Sequence, residues 1–380
     1  MDDRPIRVLQ VVTILNRGGL ESMLMNHYRA IDRGRIQFDF LVHRSCEGEY
    51  ENEILELGGR IYRMPAITPR NLVVYVKKLD SFFSEHSEYT IIHSHLDALS
   101  TFVLRAAKKA KRSCRIAHSH ISHMDMNAKA VARIFSKAFL KRYCNEHFAC
   151  SGIAGDWLFG KQIGKQGRLT LFRNAINTHQ FTHSPEVRSR VRTELGLDDR
   201  FVIGHVGRFN LQKNHKLLLD IFARILSQEP RAVLLLAGDG SLRPAMEAKA
   251  AALGIRENVQ FVGVRSDIPD LLQAMDLFLF PSLYEGLPVT VIEAQASGLP
   301  CVLSDTISKE CDISGILTFL PLAESLDVWC DEVLKLKRGS RLSDAHRRVA
   351  DAGYDVETNA DWLTKFYSSK HHQNQDYNHA

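Results

Sequence analysis

The chain has 380 residues, 45% of them apolar and 24% charged, and a formal net charge of +5. That length exceeds one ordinary core and suits two domains of about 150 to 200 residues in a water-soluble globular protein. No apolar stretch approaches the ~18 residues of a transmembrane helix, and seven scattered cysteines without a C-x-x-C pair exclude a disulfide framework or a zinc site and point to the reducing cytoplasm.

Residues 6–12, Ile-Arg-Val-Leu-Gln-Val-Val, are too short and too soon interrupted for a signal peptide and read as a buried strand. Strands follow at 38–42, 60–64, 90–94 and 115–118, separated by helices at 21–30, 49–57, 73–85 and 99–109. Residues 131–143 place Val131, Ile134, Phe135, Ala138, Phe139 and Tyr143 at helical spacing, with Arg133, Lys137, Lys141 and Arg142 mostly elsewhere. Strands at 147–150 and 169–172 close this half. Ser184-Pro185 starts a helix that Gly196 stops. Beyond it, strands at 201–206, 232–237, 259–262, 277–280 and 301–303 alternate with helices near 214–228, 242–253, 267–275 and 290–297. Such alternation means two parallel sheets covered by helices on both faces, with ligands at the carboxyl ends of the strands.

Charge is uneven. Residues 1–180 carry 27 basic against 17 acidic residues, a net +10, and the remainder is net −5. The region 105–142 holds eleven basic residues opposed only by Asp125. Its helix at 131–143 reads either as a core-facing helix with a solvated basic back or as one lying on an anionic membrane. Without an aromatic-rich platform or a recognition motif, nucleic acid is not an expected partner. The histidines 93, 95, 118, 120 and 123 show no helix-borne pair with an added carboxylate, so no metal site is expected there.

The chemistry concentrates in three segments. In Pro281-Ser282-Leu283-Tyr284-Glu285-Gly286-Leu287-Pro288-Val289-Thr290-Val291-Ile292-Glu293-Ala294, two carboxylates stand where a strand gives way to a helix, spaced to hold the hydroxyls of one ligand. Thr290 is placed to cap that helix, Glu293 to fall in its first turn, and the free N-terminus favours a phosphate. Gly207-Arg208-Phe209-Asn210-Leu211-Gln212-Lys213-Asn214 follows another strand and supplies two fixed positive charges. Gly18 and Gly19 lie between the first strand and first helix, where a backbone without Cβ atoms can approach a phosphate. No D-x-D occurs to hold a divalent ion, so Arg208 and Lys213 are left to neutralise a leaving diphosphate. A G-x-G-x-x-G is also absent, which sets aside a nicotinamide dehydrogenase.

Together, in this order, these segments resemble the E-x7-E signature, the G-R-x4-K element and the N-terminal glycine loop (Arg17-Gly18-Gly19-Leu20-Glu21) of retaining GT-B glycosyltransferases, in particular family 4. The resemblance runs from about residue 6 to residue 369. It implies two Rossmann-like domains facing across a cleft: an acceptor domain over 1–174, a nucleotide-sugar domain over 175–355, and a last helix over 356–369 that crosses back, before a disordered tail over 370–380. Glu293 is implied as the ribose ligand and Glu285 as a sugar ligand near the reacting centre, while His118 contacts the donor sugar, His120 being a lesser candidate. His93 and His95 would line the acceptor side. Gly286, Leu287, Pro288, Val289 and Thr290 would complete the sugar and phosphate contacts, Gly263 and Val264 would receive the nucleobase, Gly207 would lie against the donor, and Gly238-Asp239-Gly240 would turn beside it.

The implied activity is a metal-independent, retaining transfer, without cofactor, of a sugar from a nucleotide donor to an acceptor hydroxyl. The donor is a UDP-hexose or UDP-N-acetylhexosamine, and the acceptor a lipid-linked saccharide of capsular or exopolysaccharide synthesis at the inner face of the cell membrane. Two alternatives stay open: a nucleotide-sugar epimerase or hydrolase on the same fold, and a non-catalytic nucleotide-sugar-binding module.

Overall fold

A computed structural model describes residues 4–16, 18–121, 130–337 and 339–379, so Arg17 of the glycine loop and His123 lie outside the described residues. The chain forms two units: one runs to Ala175 and resumes at Val356, and the other is Ile176–Asp355. The second unit starts and ends side by side, since Ile176 bridges Asp355 and its N–H donates to the Tyr354 carbonyl at 2.9 Å.

The first unit holds seven parallel strands, β1 (Ile6–Val12), β2 (Ile36–Val42), β3 (Ile61–Arg63), β4 (Ile91–Ser94), β5 (Cys114–Ser119), β6 (Glu146–Ala149) and β7 (Leu169–Leu171), in the order β3-β2-β1-β4-β5-β6-β7. Strand alternation sends Val8 and Val12 of β1 into the core on one face and Leu9 and Val11 into the core on the other. The order reverses between β1 and β4, where an open sheet of this kind leaves room for a ligand at its carboxyl edge. The second unit repeats the plan with β8 (Phe201–Val206), β9 (Ala232–Ala237), β10 (Val259–Gly263), β11 (Leu277–Phe280), β12 (Cys301–Ser304) and β13 (Leu317–Leu320), ordered β10-β9-β8-β11-β12-β13. Ala232-Val-Leu-Leu-Leu-Ala237 is buried throughout, as a central parallel strand must be.

Some elements differ from the sequence reading. β13, the helix Leu326–Leu336 and the helices Gly152–Phe159 and Lys161–Lys165 have no counterpart in it. The first helix, Gly19–Ala30, starts two residues before Glu21. The last helix runs Val356–His379, through the segment expected to be a disordered tail. Ala360, Leu363 and Tyr367 bury it in the core of the first unit. Lys370 pairs with Glu146, and His371 Nδ1 lies 3.0 Å from Thr90 Oγ1, so polar anchors carry the helix past its apolar stretch.

Candidate active site

In the second unit, Lys213 and Glu285 meet at the carboxyl edge of the sheet. Lys213 Nζ donates to Glu285 Oε1 at 2.7 Å and sits 4.5 Å over the Phe280 ring. Both side chains are largely shielded, at 15% and 8% exposure. Their approach is built by backbone: Leu283 N–H donates to the Gln212 carbonyl at 2.8 Å, Gln212 Nε2 to the Tyr284 carbonyl at 3.0 Å, and Asn214 Nδ2 to the Pro281 carbonyl at 3.2 Å. Asn214 takes the left-handed conformation (φ 52°, ψ 44°), which asparagine tolerates better than most residues. Gly207 matters because a Cβ there would come within 3.0 Å of His205 Nε2 and 3.3 Å of the Lys213 stem. Gly238, at φ +138°, lies where a Cβ would fall 2.1 Å from the Gly207 carbonyl oxygen, so β8 and β9 can end in contact only through glycine. Arg208 is exposed one residue past Gly207. Gly263 ends β10 with its carbonyl accepting from Gly238 N–H at 2.8 Å, and Val264 beyond it is 61% exposed.

The helix after Glu285 runs Val289–Ala296 with Pro288 at its N-cap. This corrects the expected Thr290 cap: the proline, at φ −73° and ψ 110°, already holds the extended conformation before the first turn, and Thr290 becomes the second helical residue. Glu293 accordingly falls beyond the first turn, where the helix dipole no longer accounts for an acid. Burial raises its carboxyl from 4.5 to about 8. Thr290 Oγ1 and Ser282 Oγ are shut from solvent without a partner among the described residues. Of the rest of this loop, Gly286 is exposed, Leu287 and Val289 are half-buried and Pro288 is buried.

In the first unit, Gly18 is the N-cap of the first helix and Gly19 its first residue. His118 lies in a group of buried rings. β4 ends in His93-Ser94 with His95 next, β5 ends in His118-Ser119 with His120 next, and the register of these parallel neighbours sets the four rings on one face. His93 Nε2 is 3.1 Å from His118 Nδ1, and His95 Nδ1 is 2.9 Å from His120 Nε2. Desolvation holds His93, His95 and His118 well below the usual imidazole range and His120 at about 3, so the cluster is neutral. Ring nitrogens of His93, His95 and His118 lie within 4.8 Å of one another, an arrangement that could hold a metal ion. A search for helix-borne spacing misses it, whereas the repeated His-Ser-His on two adjacent strands would have revealed it.

Comparison with known proteins gives the chain's family and fold. Residues 187–314 match the family model of glycosyl transferases group 1. The chain is 34% identical over 376 residues to a Bacillus subtilis (strain 168) protein named as the glycosyltransferase EpsF, covering 97% of this chain and 98% of that one. It is 24% identical over 250 residues to the Escherichia coli UDP-Gal:alpha-D-GlcNAc-diphosphoundecaprenol alpha-1,3-galactosyltransferase, covering 63% of this chain and 65% of that one. Among solved structures, Anabaena HepE in complex with UDP superposes with a TM-score of 0.79 at 20% identity, covering 96% of this chain and all of that one. A glycosyltransferase from Rickettsia africae ESF-5 gives a TM-score of 0.74 at 15% identity, covering 96% and 98%. The likeness in structure establishes a GT-B fold, and the likeness in sequence along nearly the whole chain shows that this protein belongs to the group 1 glycosyltransferases.

Proposed function

We propose that the protein is a retaining, metal-independent glycosyltransferase that moves a sugar from a UDP-sugar to a lipid-linked saccharide in cell-surface polysaccharide synthesis, working at the cytoplasmic face of the membrane. The observation that carries this reading is the Lys213–Glu285 ion pair, on the same strand–loop–helix segment that bears Glu293, whose carboxyl desolvation raises to about 8. Lys213, with Arg208 on the same turn, is the cation for the leaving diphosphate and needs no divalent ion beside it. Glu293 takes the ribose hydroxyls and Glu285 the transferred sugar. The unpartnered Thr290 and Ser282 hydroxyls and the helix N-terminus are ready for sugar and phosphate oxygens.

In the front-face displacement that follows, the acceptor oxygen forms its bond to the anomeric carbon on the side from which the diphosphate departs. The bond from that carbon to the diphosphate oxygen breaks, and the acceptor proton passes to the leaving phosphate. Glu285, already engaged by Lys213, is a ligand in this scheme and not a covalent nucleophile. The names of relatives support the donor and acceptor classes: the Escherichia coli protein is named for UDP-galactose and a diphosphoundecaprenol acceptor.

The test is a thermal-shift panel of nucleotide sugars in EDTA, then donor turnover with and without bacterial lipid extract, with the anomeric configuration of the product read by NMR. Stabilisation by one UDP-sugar and lipid-dependent turnover with retained configuration is the expected result. Turnover without lipid would favour an epimerase or hydrolase, binding without turnover a non-catalytic module, and a requirement for added metal would remove the cation role from Lys213.

A further inference from the structure

The histidine cluster carries information that its burial alone does not, because its hydrogen bonds fix where the protons are. Tyr367 OH is 2.7 Å from His93 Nδ1 and receives a longer bond, 3.4 Å, from Gln10 Nε2. With Gln10 Nε2 donating to it, the phenol has one proton to give and one acceptor to give it to, His93 Nδ1. His93 therefore carries its own proton on Nε2 and donates to His118 Nδ1 at 3.1 Å. His118 is left with a proton on Nε2. The second chain begins at the other end of the same amide: Gln10 Oε1 accepts from His95 Nε2 at 2.9 Å, so His95 Nδ1 is an acceptor for His120 Nε2 at 2.9 Å. His120 is left with a bare Nδ1. Both terminal nitrogens, His118 Nε2 and His120 Nδ1, are shut from solvent and have no partner among the described residues, and the two rings lie 4.1 Å apart.

Turning the Gln10 amide over would reverse both chains together, so the sense rests on that one group. Three observations fix it. The 2.7 Å contact suits a hydroxyl donor better than an imidazole one. The Phe172 backbone favours the protonated form of His118, and with Nδ1 already facing His93 the proton it favours is on Nε2. His27, whose Nδ1 lies 2.8 Å from the Met23 carbonyl and so carries the proton there, turns a bare Nε2 into the same neighbourhood. A metal ion is disfavoured by the same assignment. The lone pairs of His93, His95 and His118 are all taken up in the two chains, and a metal would have to break them.

We infer that Tyr367 and Gln10 are positioning residues that fix, through His93 and His95, a donor at His118 Nε2 and an acceptor at His120 Nδ1 for the hydroxyls of a sugar substrate. The hydroxyl part of this inference rests on the transferase reading above, while the proton placement does not. A donor beside an acceptor is what a polyol needs, and neutral groups can exchange these bonds without the cost of burying a charge. The last helix thereby acts on the site from behind: Tyr367 touches no substrate but determines which nitrogen of His118 bears hydrogen.

The experiment is long-range proton–nitrogen correlation NMR on the full chain labelled with 15N-histidine, for wild type and Tyr367→Phe, at neutral pH. Wild type is expected to show His118 protonated on Nε2 and His120 on Nε2. Tyr367→Phe is expected to mix the His118 tautomers and leave His120 as it was, since Gln10 still holds the second chain; a general loss of packing would move both. Turnover by the variant is expected to fall about tenfold with little change in donor KM, a loss of about 1.4 kcal/mol in the transition state. The opposite tautomers, an unmoved His118 in the variant, or one tightly bound metal per chain by mass spectrometry would overturn the relay. For the ligand, UDP, UDP-glucose, UDP-galactose and UDP-N-acetylglucosamine are added in turn, then methyl glucoside to the UDP-bound protein. Shifts at His118 Nε2 and His120 Nδ1 with a UDP-sugar but not with UDP assign the donor hexose, and shifts with the glycoside assign the acceptor. A UDP-sugar that stabilises the protein yet moves neither nitrogen overturns the hydroxyl role. If no nucleotide stabilises it, the donor reading fails, and the tautomers still decide the relay.

Discussion

Lys213 and Glu285 show how one contact can serve folding and chemistry. Lys213→Ala is expected to lower kcat by two or more orders of magnitude, about 3 kcal/mol of lost stabilisation of the leaving group. The same change leaves Glu285, 8% exposed, without its cation, so it should also cost about 1–3 kcal/mol of stability, read as a shift in denaturant midpoint. Near-normal turnover would remove Lys213 from the mechanism. Glu293 yields a prediction in pH. Its carboxyl is raised to about 8 in the fold from 4.5, so the folded state holds more protons between those values and loses stability as pH rises through them. Ribose hydroxyls donate to the ionised form, so UDP affinity should rise as pH approaches 8, by up to about tenfold per unit, and level off above it. Glu293→Gln should flatten both profiles, and calorimetric titration at several pH values checks the slope. Both acids and the lysine were legible in sequence because their spacing sits on a strand–loop–helix. The histidines were only half legible: their types stood out, but pairing across two strands depends on register, which composition does not carry.

At the scale of elements, the helix Ala130–Leu140 carries the face that the sequence left open to two readings. Ser136 and Leu140 are buried, whereas Ile134 and Phe139 are 52% and 36% exposed, on a helix that also bears Lys137. The side chains of Val131, Arg133 and Phe135 lie outside the described ones. Exposed apolar side chains among basic ones suit an anionic bilayer, and each such side chain that enters it contributes about 1.5–3 kcal/mol. Ile134→Glu should therefore weaken sedimentation with phosphatidylglycerol vesicles by tenfold or more while moving stability by only about 0.5 kcal/mol, as expected of an exposed position. Unchanged vesicle binding would return this helix to an ordinary solvated surface. Elsewhere the legibility of elements followed burial. β8, β9, β11 and β12 are buried throughout and announce themselves as largely apolar runs, β10 shows as Val-Gln-Phe-Val although it is mostly half-buried, and β13, with all four residues only half-buried, carries neither a run nor a clean alternation. The helix Leu326–Leu336 did have its signal, since Ser325 Oγ accepts from Val328 N–H at 3.3 Å as a cap should.

For the molecule as a whole, alternation of strands and helices revealed two parallel sheets but not their strand order, because that order is settled by which faces pack together and not by any one segment. The return of the last helix is the consequence with most weight. Leu363 is 2% exposed and lies with Ala360 and Tyr367 in the core that lines one face of the first sheet, beside Val8, Phe38 and Ile91. Although the chain leaves the first unit at Ala175, that core is completed only by residues some 180 positions later. Leu363→Ala removes three carbon atoms from a buried site and should cost about 2–5 kcal/mol. Because the residue packs inside one unit, the loss should appear as faster amide exchange in β1, β2 and β4, whereas bound UDP should slow exchange around β8 and the helix Val289–Ala296 in the other unit. The two effects together separate the roles of the chain's ends. If Leu363→Ala left exchange in β1 and β2 unchanged, the last helix would be an appendage, and the link from Tyr367 to His118 would lose its structural footing.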